Sequence, residues 1–266
     1  MLPFQLEFGR YDASMRIQSV VDKQFGVYLW GFDGIRFDNR FIPPSWKPDP
    51  RWHLLLYIAK GSFSFDGETF EAGEALSAST ETPAPGPYPA AHTMSHGDRA
   101  AILAIRLRPP VVREEWRTRM RRLPSDVRTL PWGELMATLE DPARSVDKLP
   151  FSFNRVFDGL RGLGVVDPSI QSPCQELTGP GRVVSRIAST VFPTLSRLAT
   201  RPTMVDLISR AQLTERQLLR NLLRVQEDFE LFDRGWRPAI LRWRVTAGAL
   251  LLSNPQISLT EAAKLA

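Results

Sequence analysis

Residues 53–78 read HLLLYIAKGSFSFDGETFEAGEALSA, and this stretch decides the fold of the first half of the chain. The apolar run that ends at Lys60 predicts a buried strand. Ser62–Phe65 then alternates polar and apolar residues with a period of two, and Asp66-Gly67 is a typical hairpin turn. Two further short strands follow. The pattern predicts antiparallel strands joined by tight turns.

The first 110 residues of this 266-residue chain share that character. They are rich in aromatic residues, glycine and proline, and Ala100–Leu107 predicts another strand. Strands spaced about 8 to 12 residues apart are typical of a barrel or sandwich. The single cysteine, Cys174, excludes an internal disulfide, and no signal peptide or apolar run of membrane-spanning length is evident. We therefore expect a cytoplasmic protein with no membrane partner.

The sequence becomes helical and charged after residue 111. Val112–Arg122 places Trp116 and Met120 four residues apart, which predicts a helix. Proline and glycine punctuate residues 124–182, so we expect short helices and loops there. Such helices would pack on the strands or pair two subunits.

Arginine dominates the positive charge. Lys and Arg number 34 against 29 acidic residues, a net charge of +5, and all but five of the basic residues are arginine. Arginine's planar fork suits phosphate and base edges, although a GC-rich genome would produce the same bias. The positions of the arginines are therefore more informative than their total number.

A helix–break–helix pattern spans residues 203–225. Thr203 can cap a first helix together with Asp206, and a short break follows at Gln212-Leu213. Thr214 begins a second helix, where a glutamine three residues later completes another capping box.

The second helix carries two contrasting faces. At 100° per residue, one sector of about 140° holds only basic and amide side chains; they are Arg216, Gln217, Arg220, Asn221 and Arg224. The opposite face is aliphatic; it holds Leu218, Leu219, Leu222, Leu223 and Val225. Arginine can form two hydrogen bonds with the edge of guanine, and asparagine and glutamine can form two with the edge of adenine. The pattern predicts a helix-turn-helix that reads the DNA major groove; the alternative is a solvated helix face.

Several motifs in this region together resemble the AraC/XylS family of bacterial transcription regulators. They are Met204–Leu207, Thr214–Arg216, Leu218, Arg220, Arg244–Gly248, Leu251-Leu252 and Ile257–Ala263, and the resemblance covers about residues 186–266. It implies a DNA-binding domain with two helix-turn-helix units joined by a long helix. Gln212 departs from the family pattern, in which glycine is common. The chain also ends where the recognition helix of the second helix-turn-helix is expected. We therefore expect a truncated regulator with one complete helix-turn-helix unit.

The segment Gly61–Ser79 is similar to the cupin-type barrel that many such regulators use to bind an effector. This resemblance implies an apolar site with a few polar groups, for which the candidate lining residues are Trp30, Arg36, Trp46, His53, Tyr57 and His92. Core packing is the alternative role for each aromatic residue. His53, His92 and His96 do not match the metal-binding pattern of cupin enzymes, so we expect no metal and no cofactor.

The predicted fold class is therefore α+β, with a cupin-like β-barrel at residues 1–110, a helical connector at 111–182 and an all-α helix-turn-helix domain at 183–266. The predicted function is a ligand-responsive transcription regulator and not an enzyme. Its expected partners are double-stranded DNA, a small-molecule effector and a second copy of the chain. Two alternatives stay open. One is a metal-dependent cupin enzyme; the other is a truncated regulator that acts through dimerisation only.

Overall fold

The structure is a computed structural model. It describes residues 2–10, 13–21, 25–34, 37–38, 52–79, 94–97, 99–140, 145–174, 203–220, 223, 252 and 258–265. The predicted boundaries near residues 110 and 182 stay a prediction.

Eleven β-strands lie in the described part of the chain. They are β1 (Leu2–Arg10), β2 (Ala13–Val21), β3 (Phe25–Asp33), β4 (Phe37–Asp38), β5 (His53–Lys60), β6 (Ser62–Phe65), β7 (Glu68–Glu71), β8 (Ala75–Ser79), β9 (Met94–His96), β10 (Arg99–Leu107) and β11 (Met120–Arg122). The larger sheet has the order β1-β2-β3-β10-β5-β8-β11, and the smaller sheet has the order β4-β9-β6-β7. All neighbouring strands are antiparallel.

Two turns between strands contain residues with positive φ angles. Asp66 and Gly67, at the β6–β7 turn, have φ angles of 49° and 87°. Both angles are positive, as a two-residue type I′ hairpin requires, so the predicted hairpin is confirmed. At the β5–β6 corner Gly61 has a φ of 72°, and a Cβ atom there would lie 2.1 Å from the Arg99 carbonyl oxygen. Only glycine fits that corner.

Strand β10 lies between β3 and β5 at the centre of the larger sheet. Successive side chains of a strand point to opposite faces, and most of β10 is buried on both faces. The sheet therefore has a core on each side.

The first core lies between the two sheets, and we call this space the interior. Large aromatic side chains of the smaller sheet fill it against aliphatic side chains of the larger one. Its members include Phe32, Leu56, Ile58, Phe63, Phe65, Phe70, Leu76, Ala78, Ala100, Ile102 and Ala104.

The second core covers the opposite face of the larger sheet. Helices α1 (Trp132–Glu140) and α2 (Ser145–Gly162) supply much of it. The sheet contributes Phe25, Val27, Leu29, Leu55, Leu103, Ile105 and Leu107, and the helices contribute Trp132, Leu135, Leu139, Leu149, Phe153, Val156, Phe157 and Leu160.

Aromatic contacts fix the helices on the sheet. Tyr57 of β5 stacks on Trp132 with ring centroids 4.8 Å apart and an interplanar angle of 11°. The Trp132 indole N–H donates to the Val127 carbonyl oxygen at 2.8 Å, so its polar atom is satisfied inside the core. Phe153 of α2 lies 4.9 Å from Phe25 between ring centroids.

The helix predicted over Val112–Arg122 is wrong. The segment instead contains a 3-10 turn at Glu114–Trp116 and strand β11, which pairs with β8. Trp116 is buried, and its indole N–H donates to the Gly164 carbonyl oxygen at 3.0 Å. Strand pairing and this anchor outweigh the helical spacing of the apolar residues.

Helix α2 is longer than expected from a proline-punctuated sequence. It runs for 18 residues and contains Pro150. Its apolar residues, among them Phe153 and Phe157, are buried against the sheet, and this packing stabilises the helix despite the proline.

The coarse prediction of a mixed fold, with antiparallel strands in the first half and helices after them, is confirmed. Among the described helices, none combines the length and apolar character that crossing a bilayer would require.

We predict that Phe153→Ala lowers the free energy of unfolding by about 3–5 kcal/mol, because it opens a cavity in the second core. Phe151→Ala is the matched control on the same helix, since Phe151 is 69% exposed and Phe153 only 1%; its effect should stay below about 0.5 kcal/mol. Urea unfolding followed by tryptophan fluorescence measures both. Equal losses for the two variants would contradict the assigned helix face.

Candidate nucleic-acid and ligand sites

The first predicted capping box is present. It begins helix α3 (Met204–Ala211). The Asp206 amide donates to the Thr203 hydroxyl at 3.2 Å, and the Thr203 amide donates to the Asp206 carboxylate at 2.7 Å. Two backbone donors at the helix start are thereby satisfied.

The predicted break after α3 is also present, at Gln212. This residue has φ 50° and ψ 43°, the left-handed conformation, and its amide donates to the Ile208 carbonyl oxygen. Glycine adopts this conformation without strain, whereas for an L-residue it costs roughly 1–2 kcal/mol. Glutamine therefore forms the turn at an energetic cost.

A second helix, α4, spans residues 215–220, and residue 223 is also helical. Its capping box joins Thr214 and Gln217. The Thr214 amide donates to Gln217 Oε1 at 2.9 Å, and the Gln217 amide donates to Thr214 Oγ1 at 3.3 Å. The sequence pattern locates both ends of the break correctly because each cap is a local interaction.

Arg216 and Arg220 lie on the solvent-exposed side of α4. Within the described residues neither forms an ion pair with a carboxylate. They line an open groove of about 680 Å³ together with Thr214, Glu215, Leu219 and Leu223. The groove thus combines two guanidinium groups with apolar surface.

The aliphatic face of the helix is only partly covered. Leu218 is fully buried, whereas Leu219 is 38% exposed and Leu223 is 54% exposed. Only Leu218 therefore acts as a core residue of this helix in the described part of the chain.

Gln217 takes part in the cap of α4, and its predicted contact with DNA stays a prediction. Its Oε1 accepts from both the amide and the hydroxyl of Thr214, at 2.9 and 3.0 Å. A bidentate contact with adenine uses the side-chain amide oxygen and nitrogen of glutamine together. In this conformation only the NH2 group of Gln217 is available, so the bidentate contact requires the cap to open.

Asn221 and Arg224, the other two predicted DNA-contacting residues, lie outside the described residues. Near the end of the chain, Ser258 and Glu261 form a third capping box, with amide-to-side-chain distances of 3.1 and 3.2 Å. It begins α5 (Leu259–Leu265).

The predicted ligand-binding residues lie on both faces of the larger sheet. Trp30 packs against the interior core. His53 and Tyr57 lie on the opposite face, under the helices, and their role in ligand binding stays a prediction. Arg36, Trp46 and His92 lie outside the described residues.

His53 is part of a buried hydrogen-bonded chain. Ser77 donates its single hydroxyl proton to the Trp116 carbonyl oxygen at 3.1 Å, so its oxygen accepts from His53 Nε2 at 2.6 Å. This chain ties β5 and β8 to the segment that precedes β11. His53 thus has a structural role that the sequence did not indicate.

His96 lies in the smaller sheet, where its ring packs against Phe32 with ring centroids 3.8 Å apart and an interplanar angle of 31°, and its Nδ1 donates to the Gly97 carbonyl oxygen. His53 and His96 therefore belong to different cores. Across the parts of the chain that the structure describes, no group of three or more His, Cys, Asp or Glu side chains could hold a metal ion.

The structure adds an arginine that sequence reasoning missed. Arg106 lies on the interior face of β10, with its guanidinium 5.4 Å from the Tyr28 ring centroid and 4.3 Å from that of Trp52. Tyr28 in turn lies 6.4 Å from Trp30 between centroids. The available signal was a single arginine within the apolar run Ala100–Leu107, and its partners become clear only from strand register.

Comparison with protein-family models finds no match, and comparison with curated protein sequences finds none either. Among solved structures, the chain is similar to the AraC-like transcriptional activator CuxR, with 12% identity over 91% of this chain and 84% of that one, and a TM-score of 0.37. An HTH_3 family transcriptional regulator from Vibrio cholerae matches with 12% identity over 36% of this chain and 51% of that one, and a TM-score of 0.27. An RmlC-like cupin from Shewanella frigidimarina matches with 16% identity over 38% and 79% of the two chains, and a TM-score of 0.24. Identity and TM-score are too low in each case to define a family.

We predict that Gln212→Gly stabilises the helix pair by about 0.5–1 kcal/mol, because glycine relieves the left-handed strain at the break. The Leu218 amide, which donates to the Thr214 carbonyl oxygen, should then exchange its hydrogen about 2- to 5-fold more slowly. Gln212→Ala is the matched control and should give no protection, because alanine keeps the strain. Faster exchange in the glycine variant than in the parent would contradict this account of the turn.

Proposed function

We propose that the chain is a ligand-responsive, DNA-binding transcription regulator of the AraC/XylS type and not an enzyme. In this proposal the two-sheet region is a cupin-like effector-binding barrel, and helices α3 and α4 form a helix-turn-helix whose second helix enters the major groove. The chain acts as a homodimer in the cytoplasm.

The observation that carries this proposal is the exposed pair Arg216 and Arg220 on α4. They lie four residues apart and so share one helix face. Neither has a carboxylate partner among the described residues. A solvated helix face commonly balances its charges, whereas a DNA-reading face keeps its guanidinium groups available for guanine and phosphate.

The capped turn before α4 supports the same function. The left-handed residue at Gln212 and the capping box at Thr214 fix where the second helix begins. The N-terminal residues of a recognition helix contact base edges. In this proposal Arg216 and Arg220 are among the residues that contact base edges.

The enzyme alternative lacks a supporting observation in the described residues. The histidines there belong to two separate cores, and Glu68 and Glu74 both pair with Arg122. Glu74, for example, accepts from Arg122 at 2.6 Å. A hydrogen bond from the Glu71 amide, followed by the neighbouring arginines, lowers the pKa of Glu74, so it is a poor general acid near neutral pH.

We predict that Arg220→Ala weakens binding to a duplex selected from a random pool by about 1–3 kcal/mol and relaxes base preference at one position. Fluorescence anisotropy measures the affinity, and a salt series distinguishes a base contact from a phosphate contact. Loss of a phosphate contact would instead reduce the slope of affinity against salt concentration by about one. Arg216→Ala should behave in the same way.

The matched control for this experiment is Arg155→Ala. Arg155 is an exposed arginine of α2 that pairs with Glu134, so its replacement removes the same charge away from the proposed interface. It should leave affinity within about twofold of the parent. The proposal fails if the pool yields no preferred duplex, or if the α4 variants bind as the control does.

A further inference from the structure

Arg106 lies beyond the packed part of the interior. Ala100, Ile102 and Ala104 occupy the same face of β10 and are buried in the interior core. Arg106 is the next residue on that face, opposite Gly26 of β3 and Leu54 of β5. A cation therefore occupies the position where the strand pattern would continue with an apolar side chain.

The positive charge of Arg106 has no anionic partner among the described residues. Its guanidinium contacts two aromatic rings, those of Trp52 and Tyr28. Its Nε atom is buried and has no hydrogen-bond partner there. A half-buried guanidinium with an unsatisfied donor is unfavourable unless an acceptor binds to it.

The backbone opposite Arg106 is shaped to receive its side chain. A Cβ atom on Gly26 would lie 2.5 Å from Arg106 Nε and 2.9 Å from its Cγ. The arginine can therefore lie across β3 only because residue 26 is glycine. This constraint orients the guanidinium against Trp52 and Tyr28 rather than into free solvent.

Further groups around Arg106 suit an anion with an apolar body. Burial raises the pKa of Tyr28 to about 12, against a smaller opposing effect of Arg106, so its hydroxyl stays protonated and can donate. A second guanidinium, that of Arg108, lies 4.1 Å from the Trp52 ring centroid. Trp30 extends the aromatic surface beside Tyr28.

We propose that Arg106 is the anion-recognition residue of the effector site, and that the effector is a small aromatic or similarly planar molecule carrying an oxyanion. The oxyanion accepts from the Arg106 fork, while the rings of Tyr28, Trp30 and Trp52 contact the apolar body of the molecule. The inference rests on the proposed ligand-responsive function, because it names the ligand class of that same barrel.

A purely structural arginine is the competing role, and it makes a different prediction. Arg106→Met keeps the unbranched stem but removes the charge. If Arg106 only packs, this variant loses stability and leaves binding unchanged. If Arg106 binds an anion, the variant keeps the parent's thermal midpoint or exceeds it, because an uncompensated charge has been removed, and it loses the anion.

The experiment titrates the full chain with benzoate, phenyl phosphate and neutral benzamide, followed by calorimetry and tryptophan fluorescence. Benzoate or phenyl phosphate should bind at one site per chain, at least about 10-fold more tightly than benzamide. The better of the two anions identifies a carboxylate or a phosphate as the preferred group. Arg106→Met should reduce its affinity by about 10- to 100-fold.

Two further variants keep the test decisive. Gly26→Ala leaves the charge in place but displaces the guanidinium, so it should also weaken anion binding. Arg121→Met is the matched control, because Arg121 lies 4.3 Å from the ring of another tryptophan, Trp116, and it should bind as the parent does. The inference is overturned if neither anion binds, if benzamide binds equally well, or if Arg106→Met binds the anion as the parent does. These titrations contain no DNA, so their failure is separate from failure of the DNA-binding experiment.

Discussion

The larger sheet has to be covered on both faces, and this requirement organises the described fold. Strand β10 is buried almost throughout and runs between β3 and β5 at the sheet centre. The smaller sheet covers one face with Phe63, Phe65 and Phe70, and helices α1 and α2 cover the other with Trp132 and Phe153. Helices α1 and α2 are therefore part of the same packed unit as the strands. Neither core is complete without its covering layer.

Local interactions account for the parts of the structure that were predictable from sequence. The Asp66-Gly67 hairpin and the capping boxes at Thr203 and Thr214 each depend on residues within a few positions of one another. The β11 segment was predicted wrongly because its conformation depends on pairing with β8, which lies more than 40 residues earlier. The face of His53 and Tyr57 was also unpredictable: β5 is apolar on both faces, so alternation cannot identify the interior side.

Both candidate sites depend on arginines that lack an acidic partner within the described residues. On α4 the pair Arg216 and Arg220 follows from helical spacing, and the sequence indicates it directly. On the interior face of the larger sheet, Arg106 depends on a glycine that lies opposite it in the sheet register, 80 residues earlier in the chain, and no local pattern connects the two. The structure also assigns Gln217 to a cap.

Guanine protection tests the central claim most directly, because dimethyl sulfate methylates guanine N7 in the major groove, where arginine forks bind. With the full chain saturating a duplex selected from a random pool, we predict that protected guanines cluster within about one helical turn on one face of the DNA. We also predict that Arg220→Ala restores methylation of at least one of them. Uniform methylation at saturating protein, or protection unchanged in both Arg216→Ala and Arg220→Ala, would contradict the account.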